Sequence, residues 1–297
     1  MNSLLFVLVL PVFLLSFAVS AEPIGNNNNE LIWAGCGITK KAFMAELAKG
    51  YEKKTGTKIV LQGGGATKGI RNANKGVINI GGACRATIDR NPEERGAYQI
   101  PVAWDALVVI VNKDNPIENI TFDQLKGLYL GKITNWKQLG GQDAPLELYV
   151  RQGKLSGVGR TLRELVFANF EQDFRGKFVM KSSGPLEQGV VENKHGIAVT
   201  GVSSAKRREV KILKLEGHAP SYENIKSGNY MLYRPLYLVT QGSKSDKRVK
   251  DFITFALSRE GRNIIRKAGT VPYADAIHLV MKQVEQYERA AMRGLYR

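Results

Sequence analysis

The sequence predicts an α/β protein built on a mostly parallel sheet with helices on both faces. Between Glu30 and Ala83 three apolar runs, "ELIWAG", "TKIVLQGGG" and "VINIGGA", alternate with two helical segments. That alternation is how parallel strands are connected. Each of these runs ends at or beside glycine, and in such sheets ligands sit at the carboxyl ends of the strands. Late in the chain a strongly apolar run returns, "RPLYLVTQGS".

The elements follow in order. The first twenty residues, "MNSLLFVLVLPVFLLSFAVS", carry no charge and lead to small residues at "FAVSA". Residues 1–20 read as a signal peptide. An uncleaved anchor is the rival, since about 20 apolar residues just span a bilayer. Export to a periplasm is expected. "ELIWAG" is a buried strand. In "KKAFMAELAKGYEKKTG" Phe43, Leu47 and Tyr51 share one helical face and Gly56 stops the helix. "ATKGIRNANKG" is a short helix. "ALVVIVN" is a central strand, followed by a turn at Asn115-Pro116. "TFDQLKGLYLGKITNWKQLGG" gives a short helix and a turn. Residues 144–150 are a strand, "TLRELVFANF" is an amphipathic helix, and "KHGIAVTG" is a short strand. "SDKRVKDFITFALS" places Val249, Phe252, Ile253, Ala256 and Leu257 on one face. In the tail Ala276, Leu279, Val280, Val284 and Tyr287 recur at helical spacing, an apolar stripe.

Forty-three Lys and Arg against 27 Asp and Glu give a net charge of +16. This balance suits an anionic partner. Most of the cations are scattered, and only "SSAKRREVK" at 203–211 is dense. With export expected and no zinc-finger or RNA-binding signature, nucleic acid is not the expected partner.

Four loops share one chemistry: "AGCGITKK" (34–41), "QGGGATKG" (62–69), "GGACRAT" (81–87) and "RQGKLSGVGR" (151–160). Glycines allow close approach of backbone to a ligand, and a helix N-terminus offers unpaired N–H groups and partial positive charge to an oxyanion. The hydroxyls of Thr67 and Ser156 can donate as well. Arg85 and Arg151 can supply fork-shaped, charge-assisted bonds. No loop matches a nucleotide-hydrolysing or dinucleotide fingerprint. His195, His218 and His278 are dispersed, which argues against a metal centre or cysteine–histidine catalysis. Asp105 reads as structural, and Glu93-Glu94 reads as solvent-facing. The two cysteines, Cys36 and Cys84, both fall in glycine loops. A disulfide, two buried thiols in place of serines, and a two-thiolate metal site are the states open to them.

The chain resembles the phosphate-binding family of periplasmic solute-binding proteins, the receptors of ABC-type phosphate uptake. The resemblance runs from about Leu31 to Tyr273. It is carried by "GCGIT", "GGGATKGI", "INIGGACR", "PVAWDALVVIVNKDNP", "ITFDQLKGLYLGKITNW", Arg151 with Ser156-Gly157, and "RPLYLVT". It implies a two-lobed periplasmic binding protein fold, type II-like, with the ligand cleft between lobes. One lobe would hold 30–105 plus 233–273 and the other 106–232, leaving 274–297 as an additional helix. It also implies a binding set of Cys36, Gly37, Ile38 and Thr39; Ala66 and Thr67; Arg85; and Arg151, Ser156, Gly157 and Val158. The family pattern places serine where Ala66 stands, often serine where Cys84 stands, and threonine where Val158 stands. The implied function is capture of a small oxyanion, most simply phosphate, without catalysis or cofactor. The membrane subunits of an ABC transporter would be the partner of a transport receptor. The alternative is the same scaffold with a modified cleft, acting as a non-transport receptor or protein-interaction module.

Overall fold

The structure is a computed structural model that describes residues 29–295; the segment read as a signal peptide lies outside the described residues. β1 (Glu30–Gly35) leads into α1 (Gly37–Thr39), which continues through a π-turn at Lys40–Met44 into α2 (Ala45–Thr55). β2 (Lys58–Gln62), α3 (Gly65–Asn74), β3 (Ile80–Ala83) and β4 (Tyr98–Asn112) follow. The middle of the chain forms β5 (Asn119–Ile120), α4 (Phe122–Tyr129), β6 (Glu147–Arg151), α5 (Gly157–Leu162), β7 (Phe178–Met180) and α6 (Ser183–Glu192). Then come β8 (Gly196–Gly201), α7 (Val202–Ala205), β9 (Val210–Ile212), β10 (Lys214–Leu215) and α8 (Tyr222–Ser227). β11 (Tyr233–Thr240), α9 (Lys247–Leu257), α10 (Arg259–Lys267), β12 (Val271–Pro272) and α11 (Leu279–Leu295) complete it.

The main sheet runs β2-β1-β3-β11-β4-β8-β6-β7. β1 pairs parallel with β2 and β3, and β6 pairs parallel with β7 and β8, so each half has a parallel core. β4 is the spine. Its residues Tyr98–Ala106 pair antiparallel with β11, and Leu107–Val111 pair antiparallel with β8. The partner therefore changes between Ala106 and Leu107. Every residue from Val102 to Asn112 is buried, as expected of a strand covered on both faces. This unbroken run explains why "ALVVIVN" lacks alternation.

Local chemistry accounts for the helices. Phe43, Leu47 and Tyr51 are buried, and Gly56 closes α2 at φ 74°, a conformation glycine adopts without steric cost. Thr121 and Gln124 form a reciprocal capping box at α4. In α9, Val249, Phe252 and Ala256 point inward as their spacing suggests, but Leu257 is 44% exposed. Phe255 takes the inward place because its ring packs on Tyr51, centroids 5.2 Å apart. The tail departs further from its pattern. Ala276 and Leu279 are buried, whereas Val284 and Tyr287 are exposed with Ile277 and Met281. A glutamine holds the inner face instead: Gln286 Nε2 donates to the carbonyls of Met231 and Tyr233 at 2.5 and 3.1 Å. These residues lie where the chain enters β11, so α11 braces the passage between the two halves of the sheet.

Candidate functional site

The carboxyl ends of β1, β2, β3 and β6 open on one cleft of about 880 Å³. Cys36, Gly37, Ala66, Thr67, Cys84, Arg151, Ser156, Gly157 and Val158 all line it. β1, β2 and β6 each hand the chain to the N-terminus of α1, α3 or α5 at this point. The first-turn amides of a helix have no intrahelical acceptor, and here three such turns face one space. Gly64 and Gly65 adopt φ 139° and 78° at the start of α3, which aims that turn into the cleft and explains two of the three glycines in "QGGGATKG". Ser156 caps α5 by accepting from the Gly159 amide at 3.2 Å, so its hydroxyl proton stays available to a ligand.

Arg151 is the arginine of the cleft. Its guanidinium donates to the Met180 carbonyl, the Lys181 carbonyl and Ser183 Oγ, at 3.3, 2.8 and 2.9 Å. All three acceptors are uncharged. Burial lowers its pKa, and the fields of Cys84, Cys36 and Glu187 oppose that shift. Glu187 itself is fully buried and committed elsewhere: it accepts from Thr200 Oγ1 at 2.7 Å and pairs with Arg208 at 3.1 Å and Lys41 at 3.6 Å. A guanidinium held by neutral acceptors in a partly desolvated site favours an anionic ligand.

Arg85 has a different position. Its side chain is buried and grips Glu94 in a two-pronged pair at 2.6 and 2.8 Å. It also donates to Thr67 Oγ1 and to the carbonyl of Leu155. The residue is therefore a brace behind the cleft rather than an open fork, and Glu94 is not solvent-facing. The acid that changes both readings lies nine residues from the arginine, within a polar stretch that resembles a surface loop. Ile38 and Thr39 are also buried; Thr39 Oγ1 donates to the Ala83 carbonyl at 3.3 Å, leaving the backbone as their route to a ligand. Asp105 is structural in the sense expected, accepting from the Ser203 amide and hydroxyl and from Arg234.

The sequence reading passed over Lys41, Lys181, Ser183 and Ser204, which also line the cleft. Lys41 donates to Ser204 Oγ at 2.7 Å, across from its own half of the sheet to the other. Thr67 Oγ1 donates to Leu155 O in the same sense. The two sides of the cleft are thus in contact. The dense cationic run is largely spent on intramolecular partners: Arg207 on the Lys41 carbonyl, Arg208 on Glu187, Lys211 on Glu118. Among the described residues no group of His, Cys, Asp and Glu is arranged to hold a metal ion.

Known proteins share this architecture. The PBP superfamily domain matches residues 28–260. The phosphate-binding protein PstS of Borreliella burgdorferi is 28% identical over 274 residues, covering 88% of this chain and 96% of its own. A solved structure from Clostridium perfringens, a putative phosphate ABC transporter substrate-binding protein with bound phosphate, is 30% identical. It superposes with a TM-score of 0.74 over 82% of this chain and 99% of that one. An ABC-type phosphate transport receptor from Vibrio cholerae is 27% identical with a TM-score of 0.63, over 82% of this chain and 99% of that one. The fold and cleft define a solute-binding protein, a non-catalytic class. The chain belongs to the PBP superfamily and, within it, to the PstS-like solute-binding proteins.

Proposed function

We propose that the protein is an exported receptor that captures phosphate between two lobes, 30–105 with 233–273 and 106–232, for ABC-type uptake or sensing. After removal of residues 1–20 it would work in the periplasm, and the membrane subunits of an ABC transporter would receive the loaded form. The observation that carries this reading is the meeting of three helix N-termini with the Arg151 guanidinium, whose hydrogen-bond partners are all neutral. The phosphate-bound relative supports the choice of anion. In this chain the ligand would take backbone amides of Gly37, Ile38 and Thr39, of Ala66 and Thr67, and of Gly157 and Val158, with a hydroxyl from Ser156; the Thr67 hydroxyl is committed to the Leu155 carbonyl.

Isothermal titration with phosphate tests the reading. Wild type should bind, and Arg151→Met should bind at least about tenfold more weakly, since a hydrogen bond to a charged group contributes roughly 1.5–3 kcal/mol. Equal affinities would remove Arg151 from the site. Ala66 and Val158 present methyl groups where the family pattern has hydroxyls, which favours the second reading of a modified cleft with another partner. Absence of heat with phosphate and sulfate in wild type would select it.

A further inference from the structure

Cys36 stands one residue past β1 and Cys84 one residue past β3. These strands pair parallel, Gly35 opposite Gly82, and the Cys36 amide donates to the Gly82 carbonyl at 2.9 Å. Parallel neighbours are separated by about 4.8 Å, within the reach of a disulfide. The two sulfurs meet at 2.6 Å. Both are buried in the core yet both line the cleft, so the pair lies at its floor. Gly157, the first residue of α5, closes over it from the other side. A β-carbon at that position would lie 2.3 Å from Cys84 Sγ.

We propose that Cys36 and Cys84 form a reversible dithiol–disulfide pair in which the disulfide is the anion-capturing form and the dithiol is the weak-binding form. The capture half of this inference rests on the phosphate reading above.

The asymmetry of the pair gives the chemistry its direction. Cys36 is the N-terminal cap of α1 and the more exposed of the two, at 6% against 1%. A hydrogen bond from Cys84 pulls its pKa down to about 6, against the effect of burial, with help from Arg234 and from the amides of Thr39 and Ile38. Cys84 is pushed up by the same contact and by burial. Cys36 is therefore the more readily ionised of the two and the attacking group. It displaces one thiolate from the disulfide of an oxidant, either a thiol–disulfide exchange protein or a small-molecule disulfide, and forms a mixed disulfide. Cys84 then loses its proton and attacks Cys36 Sγ. The intramolecular bond forms and the second oxidant thiolate leaves. Two electrons pass to the oxidant disulfide, which becomes two thiols.

The consequence for binding is electrostatic. In the dithiol form negative charge on Cys36, which caps α1 and lines the cleft, opposes a dianion there. Arg234 from β11, Asp105 from β4 and Arg151 across the cleft are the fixed charges around it. The disulfide carries no charge. Both cysteines belong to one side of the cleft, so the bond would not itself lock the two sides together.

The test uses the full exported protein purified without reductant. Denaturation in N-ethylmaleimide followed by intact mass should show no added label, and two labels after reduction. Equilibration in oxidised and reduced glutathione should interconvert the forms. Titration with phosphate at pH 7.5 should give at least tenfold weaker binding for the reduced form. In the double variant Cys36→Ser with Cys84→Ser the affinity should no longer respond to oxidant. Two labels that persist in oxidised glutathione, or equal phosphate affinity in both forms of wild type, overturn the inference while leaving the receptor reading intact. If neither form binds phosphate, the receptor reading fails and the capture half falls with it, while the labelling result still decides the bridge.

Discussion

Glutamate 94 should prove one of the more costly single positions in the chain although it touches no ligand. Glu94→Gln removes the negative charge that Arg85 grips with both prongs, and both side chains are almost wholly excluded from water. Breaking a buried pair strands a charge and costs about 3–5 kcal/mol. Glutamine keeps one acceptor oxygen, and Arg85 keeps its bonds to Leu155 O and Thr67 Oγ1, so the lower end, about 3 kcal/mol, applies. For a chain of this size about 2–4 °C of melting temperature accompanies each kcal/mol, which gives a fall of about 6–12 °C. Differential scanning calorimetry reads it directly. Replacing both partners by apolar residues, Arg85→Met with Glu94→Leu, should recover much of the loss because no charge is then stranded. A shift below about 2 °C for Glu94→Gln would refute the reasoning, as would a double variant less stable than the sum of the two singles.

Acid stability gives a companion test. Burial raises the Glu94 pKa, but the hydrogen bonds and charge of Arg85 outweigh it and the net shift is downward. Its stabilisation is therefore present above the unfolded carboxyl pKa of about 4.3 and is lost as pH falls through the lower folded value. Wild type should lose stability in that window more steeply than Glu94→Gln, read by urea unfolding at a series of pH values. Gly157→Ala would place a β-carbon 2.3 Å from Cys84 Sγ and 3.2 Å from Ala66 Cβ. Overpacking should cost about 1–3 kcal/mol of stability, read by urea unfolding. Leu279→Ala removes a fully buried side chain from α11 and should cost about 2–5 kcal/mol in denaturant unfolding. A near-neutral result there would make α11 an appendage rather than a brace.

The strand alternation was legible because parallel strands need long helical crossovers, and three apolar runs separated by two helical segments have few other solutions. The glycine loops were legible for a related reason: strands running the same way end on the same side, so their loops meet. What escaped was pairing between elements distant in sequence. Nothing in "NPEERG" signals that Glu94 folds under Arg85, and nothing at "TKK" signals that Lys41 reaches Ser204 and Glu187. The α11 stripe misled because spacing locates an apolar face but not its cover. Gln286 took the inner side through two backbone carbonyls of the crossing segment, leaving Val284 and Tyr287 in solvent. The π-turns at Lys40–Met44 and Arg163–Phe167 also left no periodic signature.

The central claim is that an oxyanion sits where the first turns of α1, α3 and α5 meet Arg151. A crystal structure of the oxidised protein grown with phosphate tests it most directly. The account predicts a tetrahedral anion within hydrogen-bonding distance of the Ala66 and Gly157 amides and the Arg151 guanidinium. A cleft that holds no anion at saturating phosphate, or an anion bound away from Arg151, would contradict it.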